Sequence, residues 1–305
     1  MLAYTARRLL WMVPVMFVIA TVTFFLMHQV PGGPWTREKK LPQAAVDTLN
    51  RQYGLDQPLI RQYGDYLWNV VKLDFGSSYK SPSRSVSEII KEGMKTSAIL
   101  GGLATVLSIV VGGLLGMVAA LNQNKLPDYF SVFFATIGAA IPSFVLAIFM
   151  ILVFSVKLGW LPTGGWGGFK EGIMPVLSLS ALPIAYIARV MRSSMLEVLR
   201  QDYVRTARAK GLEERAVVFR HAMKNALIPV ITLIGPLVAG LVTGSFIIEF
   251  IFGLPGVGKQ FVTSIAARDY TVIMGTTMLY AVIVAAGNLV VDLLYAAVDP
   301  RIRYA

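Results

Sequence analysis

The sequence predicts an all-α integral membrane protein of six transmembrane helices, with a small extracytoplasmic subdomain between helices 1 and 2. Hydrophobic residues make up 55% of the chain against 15% charged, and the mean hydropathy is +0.63. That is far from the balance of a soluble domain. Six runs without a charged side chain can be read at residues 9–30, 97–121, 129–156, 172–188, 225–248 and 271–291. Most of them reach the roughly 20 residues that a helix needs to cross the hydrocarbon core. Between the fourth and fifth runs lies a strongly basic segment, whose densest part is residues 202–212.

The first run follows Arg7 and Arg8, the flank of a signal peptide. It is too long for the apolar core of one, however, and has no small-residue cleavage site before Pro31, so it reads as a retained helix. Pro31-Gly-Gly-Pro34 breaks that helix. Residues 41–53 and 58–73 then look helical, with Tyr63, Tyr66, Leu67 and Val70 recurring on one face. Asp74-Phe-Gly-Ser-Ser-Tyr79 and Ser81-Pro-Ser83 read as loop. The fourth run is the shortest and carries Pro175 and Pro183, which a bundle tolerates when neighbours satisfy the freed backbone groups. Gly112-x-x-x-Gly116 and Gly240-x-x-x-Gly244 put small residues on one helical face, a pattern that permits close helix approach.

Orientation follows from lysine and arginine near the span ends. The N-terminus, the loop at 189–224 with nine basic residues against four acidic, and the C-terminus with Arg301 and Arg303 share one side if there are six spans. The two short loops on the other side hold only Lys157, Lys170, Lys259 and Arg268. The ends and the large basic loop are therefore expected in the cytoplasm. Residues 31–96 carry ten basic residues among seven acidic, but long loops translocate largely regardless of charge. The expected division is a first helix at 1–30, a subdomain at 31–96, the main transmembrane domain at 97–298 with a cytoplasmic loop at 189–225, and a tail at 299–305. The net charge of +11 reads as topology plus attraction to anionic headgroups, with no nucleic-acid partner expected.

From Met195 through Tyr203 to Lys210 the loop suits a short helix, with Leu196, Leu199, Tyr203 and Ala207 at three- and four-residue spacing. Arg205, Arg208 and Lys210 point elsewhere, and Gly211 ends it. A second helix at 213–224 leads back to the membrane. A solvated loop that only sets topology and a docking surface for a partner fit this pattern alike.

Residues 253–259, Gly-Leu-Pro-Gly-Val-Gly-Lys, fit the start of a phosphate-binding loop. Gln260 stands where a Mg²⁺-holding hydroxyl belongs, and the run follows a membrane span instead of a strand, so it reads as a glycine-proline turn. Glu249, Asp292, Arg189 and His28 lie near span ends and read as headgroup-level or paired charges, with Asp292 facing Arg301 or Arg303 as one pairing. His28 and His221 belong to no ligand cluster, and the chain has no cysteine. Neither a metal site nor a catalytic site is expected. A secondary transporter would show internal repeats and midplane charges, and a membrane enzyme would need a constellation that is missing.

Arg205-Thr-Ala-Arg-Ala-Lys-Gly211, followed by Arg220-His-Ala-Met-Lys-Asn-Ala226, resembles the cytoplasmic loop signature of permease subunits of bacterial binding-protein-dependent ABC importers, in its peptide-transporter form. Arg205, Thr206 and Ala207 stand where the wider family has Glu-Ala-Ala, Gly211 matches, and Arg220-His-Ala-Met replaces an Ile-x-Leu-Pro element. Similar matches are the Arg-Arg pair before the first span, Pro31-Gly-Gly-Pro34, Leu73-Asp-Phe-Gly76, Phe252-Gly-Leu-Pro-Gly-Val-Gly258, Arg268-Asp-Tyr270 and Leu294-Tyr-Ala-Ala-Val-Asp-Pro-Arg-Ile-Arg-Tyr304. They cover nearly the whole chain in order, and they look most like the B-type permease subunit of oligopeptide importers.

The resemblance implies a type I ABC importer permease fold in the bacterial inner membrane and a non-catalytic subunit working by alternating access. It implies a homologous second permease, two cytoplasmic ATPase subunits or domains that bind ATP and Mg²⁺, an extracytoplasmic solute-binding protein, and a peptide substrate. Dipeptides, glutathione or nickel chelates are the related cargoes. The basic loop becomes a coupling helix, with Tyr203, Arg205, Thr206, Ala207, Arg208, Ala209, Lys210 and Gly211 contacting the ATPase or shaping the loop. Gly253, Leu254, Pro255 and Gly256 become the part of the outer mouth that touches the binding protein.

Overall fold

The computed structural model describes residues 2–31, 33–35 and 42–298. Gly32, Leu41, the tail at 299–305 and the expected pairing of Asp292 with Arg301 or Arg303 lie outside what is described. Among the described residues the chain is helical, with one isolated bridge between Ser77 and Ser85. It forms two compact units, residues 1–97 with 255–285 and residues 98–254 with 286–305.

The first unit takes in α1 (Leu2–Gln29), α2 (Gln43–Gln52), α3 (Leu59–Val71), the start of α4 (Val86–Leu121), α13 (Val257–Ala267) and the start of α14 (Tyr270–Val298). Its core is aromatic: Phe24, Tyr79 and Tyr270 are buried, with Trp35, Tyr53, Tyr63 and Tyr66 packed around them. As the spacing requires, Tyr63, Tyr66, Leu67 and Val70 share the half-buried face of α3. The Arg268-Asp-Tyr270 motif assembles this core. Arg268 adopts a left-handed φ of 57° to end α13, and its guanidinium donates to the carbonyls of Pro31 and Gly33. Asp269 is buried and accepts from the Ser78 hydroxyl at 2.5 Å, the Tyr79 N–H at 3.1 Å and the Thr271 hydroxyl at 3.0 Å. Five of its contacts in all are donors, so this buried carboxylate is fully satisfied. Burial, with Asp269 nearby, pushes the Tyr79 phenol well above its usual range.

In the second unit α7 (Phe169–Leu199) is the central helix. It continues for 31 residues through both Pro175 and Pro183, well past the short run visible in the sequence. Serine hydroxyls supply extra donors beside the prolines: Ser180 to the Leu177 carbonyl at 3.2 Å, and Ser108 on α4 to the Ser180 carbonyl at 3.4 Å. A Cβ added at Gly112 would lie 2.8 Å from the Ile184 carbonyl oxygen, and one at Gly116 would meet Met191 Cβ at 2.7 Å. On α5 (Leu126–Ala140), a Cβ at Gly138 would meet the Ala181 carbonyl at 3.0 Å. Both neighbours thus touch α7 backbone to backbone. At Gly240, nothing among the described residues lies within 4 Å of an added Cβ.

The run at 129–156 is not one straight helix. α5 and the helix Ser143–Lys157, which begins as α6 (Ser143–Met150), meet at 101°. Pro142 lacks an N–H, and Ile141 before it is held extended at φ −93° and ψ 120°. The 15 residues of α5 span about 22 Å, short of the roughly 30 Å hydrocarbon core. A second bend, of 49°, precedes α11 (Ile228–Gly244), next to Pro229. Among the described residues, four helices are long and apolar enough to cross a membrane, or up to six if each bent pair is one span.

The boundary charges differ among themselves. His28 is half-buried, with Nδ1 2.8 Å from the Phe24 carbonyl and Nε2 3.2 Å from Gln62 Oε1, and Arg189 is exposed. Glu249, expected at headgroup level or paired, is fully buried on α12 (Phe246–Ile251) and accepts from the Ser245 hydroxyl at 2.6 Å. The hydroxyl one turn earlier is what a terminal position inferred from sequence could not reveal.

If the contact of α4 with α7 carries the second unit, Gly116→Val should cost about 1–3 kcal/mol by overpacking. Its thermal unfolding midpoint in nanodiscs should fall by several degrees. Gly113→Ala, where the added methyl meets open space, should leave the midpoint unchanged.

Candidate functional site

The basic loop folds as an elbow. α7 ends at Leu199, Gln201 turns extended at ψ 149°, and a separate helix α8 (Asp202–Ala209) follows. The single helix expected from Met195 to Lys210 is therefore interrupted at Arg200 and Gln201, which puts Leu196 and Leu199 on α7. The register restarts with Asp202, an acid in a first turn where the helix dipole favours it. In the new register Val204 and Ala207 are buried, packed with Val217, Val198 and Leu199. A period counted from α7 passes over Val204, because the register resets at Gln201.

Tyr203, Arg205, Thr206, Arg208, Ala209, Lys210 and Gly211 are exposed, whereas Ala207 faces the core. Gly211 has φ +77°, donates to the Arg208 carbonyl at 2.9 Å, and is followed by Leu212 donating to Ala207 at 3.4 Å. This is a Schellman end, and its left-handed residue costs a side chain roughly 1–2 kcal/mol.

From Gly211 the chain returns through α9 (Glu214–Ala216), a π-helical turn at Val217–Ala222 and α10 (Met223–Ala226). The expected second helix is there, wound more loosely in its middle. Val218, Ala222 and Ala226 pack against Met191 and Met195 of α7. Polar ties brace the elbow: Arg208 holds Glu214 through Nε at 3.1 Å and Nη2 at 2.6 Å, and Asn225 donates to the Tyr203 hydroxyl at 2.7 Å. Arg208 is engaged by Glu214, Arg205 lies 3.6 Å from Asp202 in an exposed pair, and Lys210 follows at the end of α8.

One polar pair was missed in the sequence altogether. Arg192 on α7 makes a two-pronged contact with Asp128 at the start of α5, 2.6 Å from Nε and 2.7 Å from Nη2, and the Asn124 N–H donates to the same carboxylate at 2.9 Å. Asp128 stands before an apolar run, 64 residues from its partner. Only the crossing of α5 over α7 brings them together.

Gly253, Leu254, Pro255 and Gly256 do not form one surface. Gly253, with φ +68°, and Pro255 are exposed, while Leu254 is buried in the core with Phe252, and Gly256 is buried against Gly93. The run follows helix α12, and the Val257 N–H donates to Ser97 Oγ at 3.0 Å. Among the described residues, no group of three or more His, Asp or Glu is placed to hold a metal ion.

The family described as "Binding-protein-dependent transport system inner membrane component" matches residues 112–304. The chain belongs to that family. The associated N-terminal family, "Binding-prot-dependent transport system membrane comp, N-term", matches residues 1–96. The chain is 43% identical over 306 residues to the "Oligopeptide transport system permease protein OppB" of Haemophilus influenzae, with all of both chains covered. It is 45% identical over 303 residues to the "Dipeptide transport system permease protein DppB" of Bacillus subtilis, covering 99% of this chain and 98% of that one. Among solved structures, an amino acid ABC transporter aligns with a TM-score of 0.55 at 15% identity, over 69% of this chain and 94% of that one. The MetNI methionine ABC transporter gives 0.55 at 16%, over 69% and 96%. These two likenesses concern the fold, which is that of a type I ABC importer permease, and the chain is a multi-pass inner-membrane protein.

Breaking a buried ion pair by removing one partner costs about 3–5 kcal/mol, and with the Arg192 side chain 28% exposed Asp128→Asn should fall near about 2–3 kcal/mol. Thermal unfolding in nanodiscs measures this. Asp128→Leu combined with Arg192→Met should recover most of the loss.

Proposed function

We propose that the chain is the membrane subunit of an ATP-driven importer for oligopeptides, forming half of the translocation pathway with a homologous second permease. The full-length identity of 43% to oligopeptide permeases carries this reading. A dipeptide cargo is the second reading, supported by the comparable identity of 45% to a dipeptide permease. Hydrolysis belongs to two cytoplasmic ATPase subunits or domains that bind ATP and Mg²⁺, and an extracytoplasmic binding protein delivers the solute. Residues 31–96 stand outside the cell membrane, and both termini and the loop at 189–225 stand inside.

In this reading α8 is the coupling helix. It is held at one end by α7 and at the other by the return helix, with Val204 and Ala207 keyed into the core. A push on its outer face therefore moves it as a body, with little bending. α7, about 46 Å long at 1.5 Å per residue, carries the displacement through the bilayer. Arg205 and Lys210 meet acidic groups or carbonyls at the rim of an ATPase groove, and Gly211 keeps the elbow tight. The exposure of Gly253 and Pro255 supports these two as the residues of the outer turn that touch the binding protein.

The deciding measurement is ATP hydrolysis in nanodiscs by the chain alone and by the assembly of two permeases and two ATPases, with and without peptide-loaded binding protein. Activity only in the assembly, raised by loaded binding protein, is expected. Ion-driven peptide flux through this chain alone would overturn the reading. In the same assay Arg205→Glu and Gly211→Val should each lower solute-stimulated hydrolysis about tenfold, the effect of about 1.4 kcal/mol of lost coupling. Unchanged stimulation in both would remove α8 from the coupling path.

A further inference from the structure

The first unit holds a cavity of about 310 Å³ that the importer reading leaves unused. It is walled by the end of α1, the turn from α2 to α3, α3 itself, the loop after α3 and the start of α14. Its size suits a small organic group.

Its charge is opposite to that of the chain. Among the described residues, the lining includes Asp65 and Asp74 and no lysine or arginine, in a protein of net charge +11. The histidine of the lining, His28, is engaged at both ring nitrogens by Phe24 and Gln62. Gln62 is engaged too, donating to the carbonyls of Leu55 and Gln57. The walls are aromatic, with the rings of Phe24, Tyr53, Tyr66, Tyr79 and Tyr270 lining the cavity. Phe24 stacks on Tyr66 at 5.6 Å, and Tyr53 lies 4.7 Å from Tyr79. Such faces attract cations as well as apolar groups. The Tyr66 hydroxyl is buried without a hydrogen-bond partner among the described residues, and burial, with Tyr63 beside it, holds the phenol protonated. A buried unpaired hydroxyl is costly, and its lone pairs accept an N–H. Two carboxylates beside an engaged histidine are too few for a metal ion, and no metal-holding group occurs among the described residues. An ammonium, with three donors and a soft apolar neighbour, fits all of these features.

We propose that this cavity binds the protonated primary amine of an organic solute, its ammonium group facing Asp65 and Asp74 and its apolar body lying on the aromatic wall. That the amine is the N-terminus of a peptide rests on the importer reading; that it is an amine does not. The cavity then prefers peptides with a free N-terminus and an apolar or aromatic first residue.

The test is calorimetric binding to the full-length chain in phosphatidylcholine nanodiscs, which contain no primary amine. The probes are a tripeptide with an aromatic first residue and its N-acetylated form. The free tripeptide should bind at least tenfold more tightly than the acetylated one. Asp65→Asn and Asp74→Asn should each weaken it about threefold to tenfold, the scale of one partly exposed charge contact. Both variants should fold, since Asp65 is exposed and asparagine at 74 keeps an oxygen for the Gly76 N–H that Asp74 Oδ1 now accepts at 3.0 Å. Tyr66→Phe should weaken the free form and leave the acetylated form unchanged. Equal binding of the two probes, no binding of either, or indifference to both aspartate variants would overturn the proposal. Loss of peptide binding in discs containing phosphatidylethanolamine would give the cavity to a lipid amine, overturning the peptide and upholding the amine. Failure of the importer reading would appear elsewhere, as absence of ATP-driven uptake by the assembly, and would leave these affinities untouched.

Discussion

The second unit depends on how closely other helices approach the backbone of α7. Lipid tails are as apolar as leucine, so no hydrophobic force drives one membrane helix onto another, and packing contacts must hold the bundle. Gly112 and Gly116 bring α4 against the carbonyls of Ile184 and Ala188, and Gly138 brings α5 against Ala181. Ala135, Ala185 and Ala188 fill the space between with methyl groups. A helix clamped in this way tolerates two prolines, because its path is set by its neighbours as well as by its own hydrogen bonds.

The same clamp steadies the elbow. The Asp128–Arg192 pair ties α5 to α7 about two turns above the point where α7 ends, and the return helix packs its small residues on Met191 and Met195. Displacement of α8 therefore cannot be absorbed by fraying of α7. The first unit uses a different device. There a buried carboxylate, Asp269, gathers donors from the loop at 77–80 and from the start of α14, and aromatic rings close around it. That arrangement leaves the acidic cavity open beside a satisfied core.

Much of this was legible in the residues. Six apolar runs, the break at Pro31, the helical face of Tyr63 and Tyr66, and the glycine that ends α8 all follow from local rules of length, period and φ, and each rule acts within a few residues. The register of α8 was misread because a helix interrupted for two residues resets its period, and sequence periodicity does not mark the reset.

By itself the sequence determined an all-α membrane permease with a basic elbow, because hydropathy, charge placement and ordered motifs are properties of the chain alone. Tertiary structure decided what depends on distant partners. It bent the run at 129–156 through 101°, buried Glu249 beside Ser245, joined Asp128 to Arg192 across 64 residues, and turned Leu254 inward. In each case the outcome depends on which group lies opposite in space, and spacing along the chain carries no record of that.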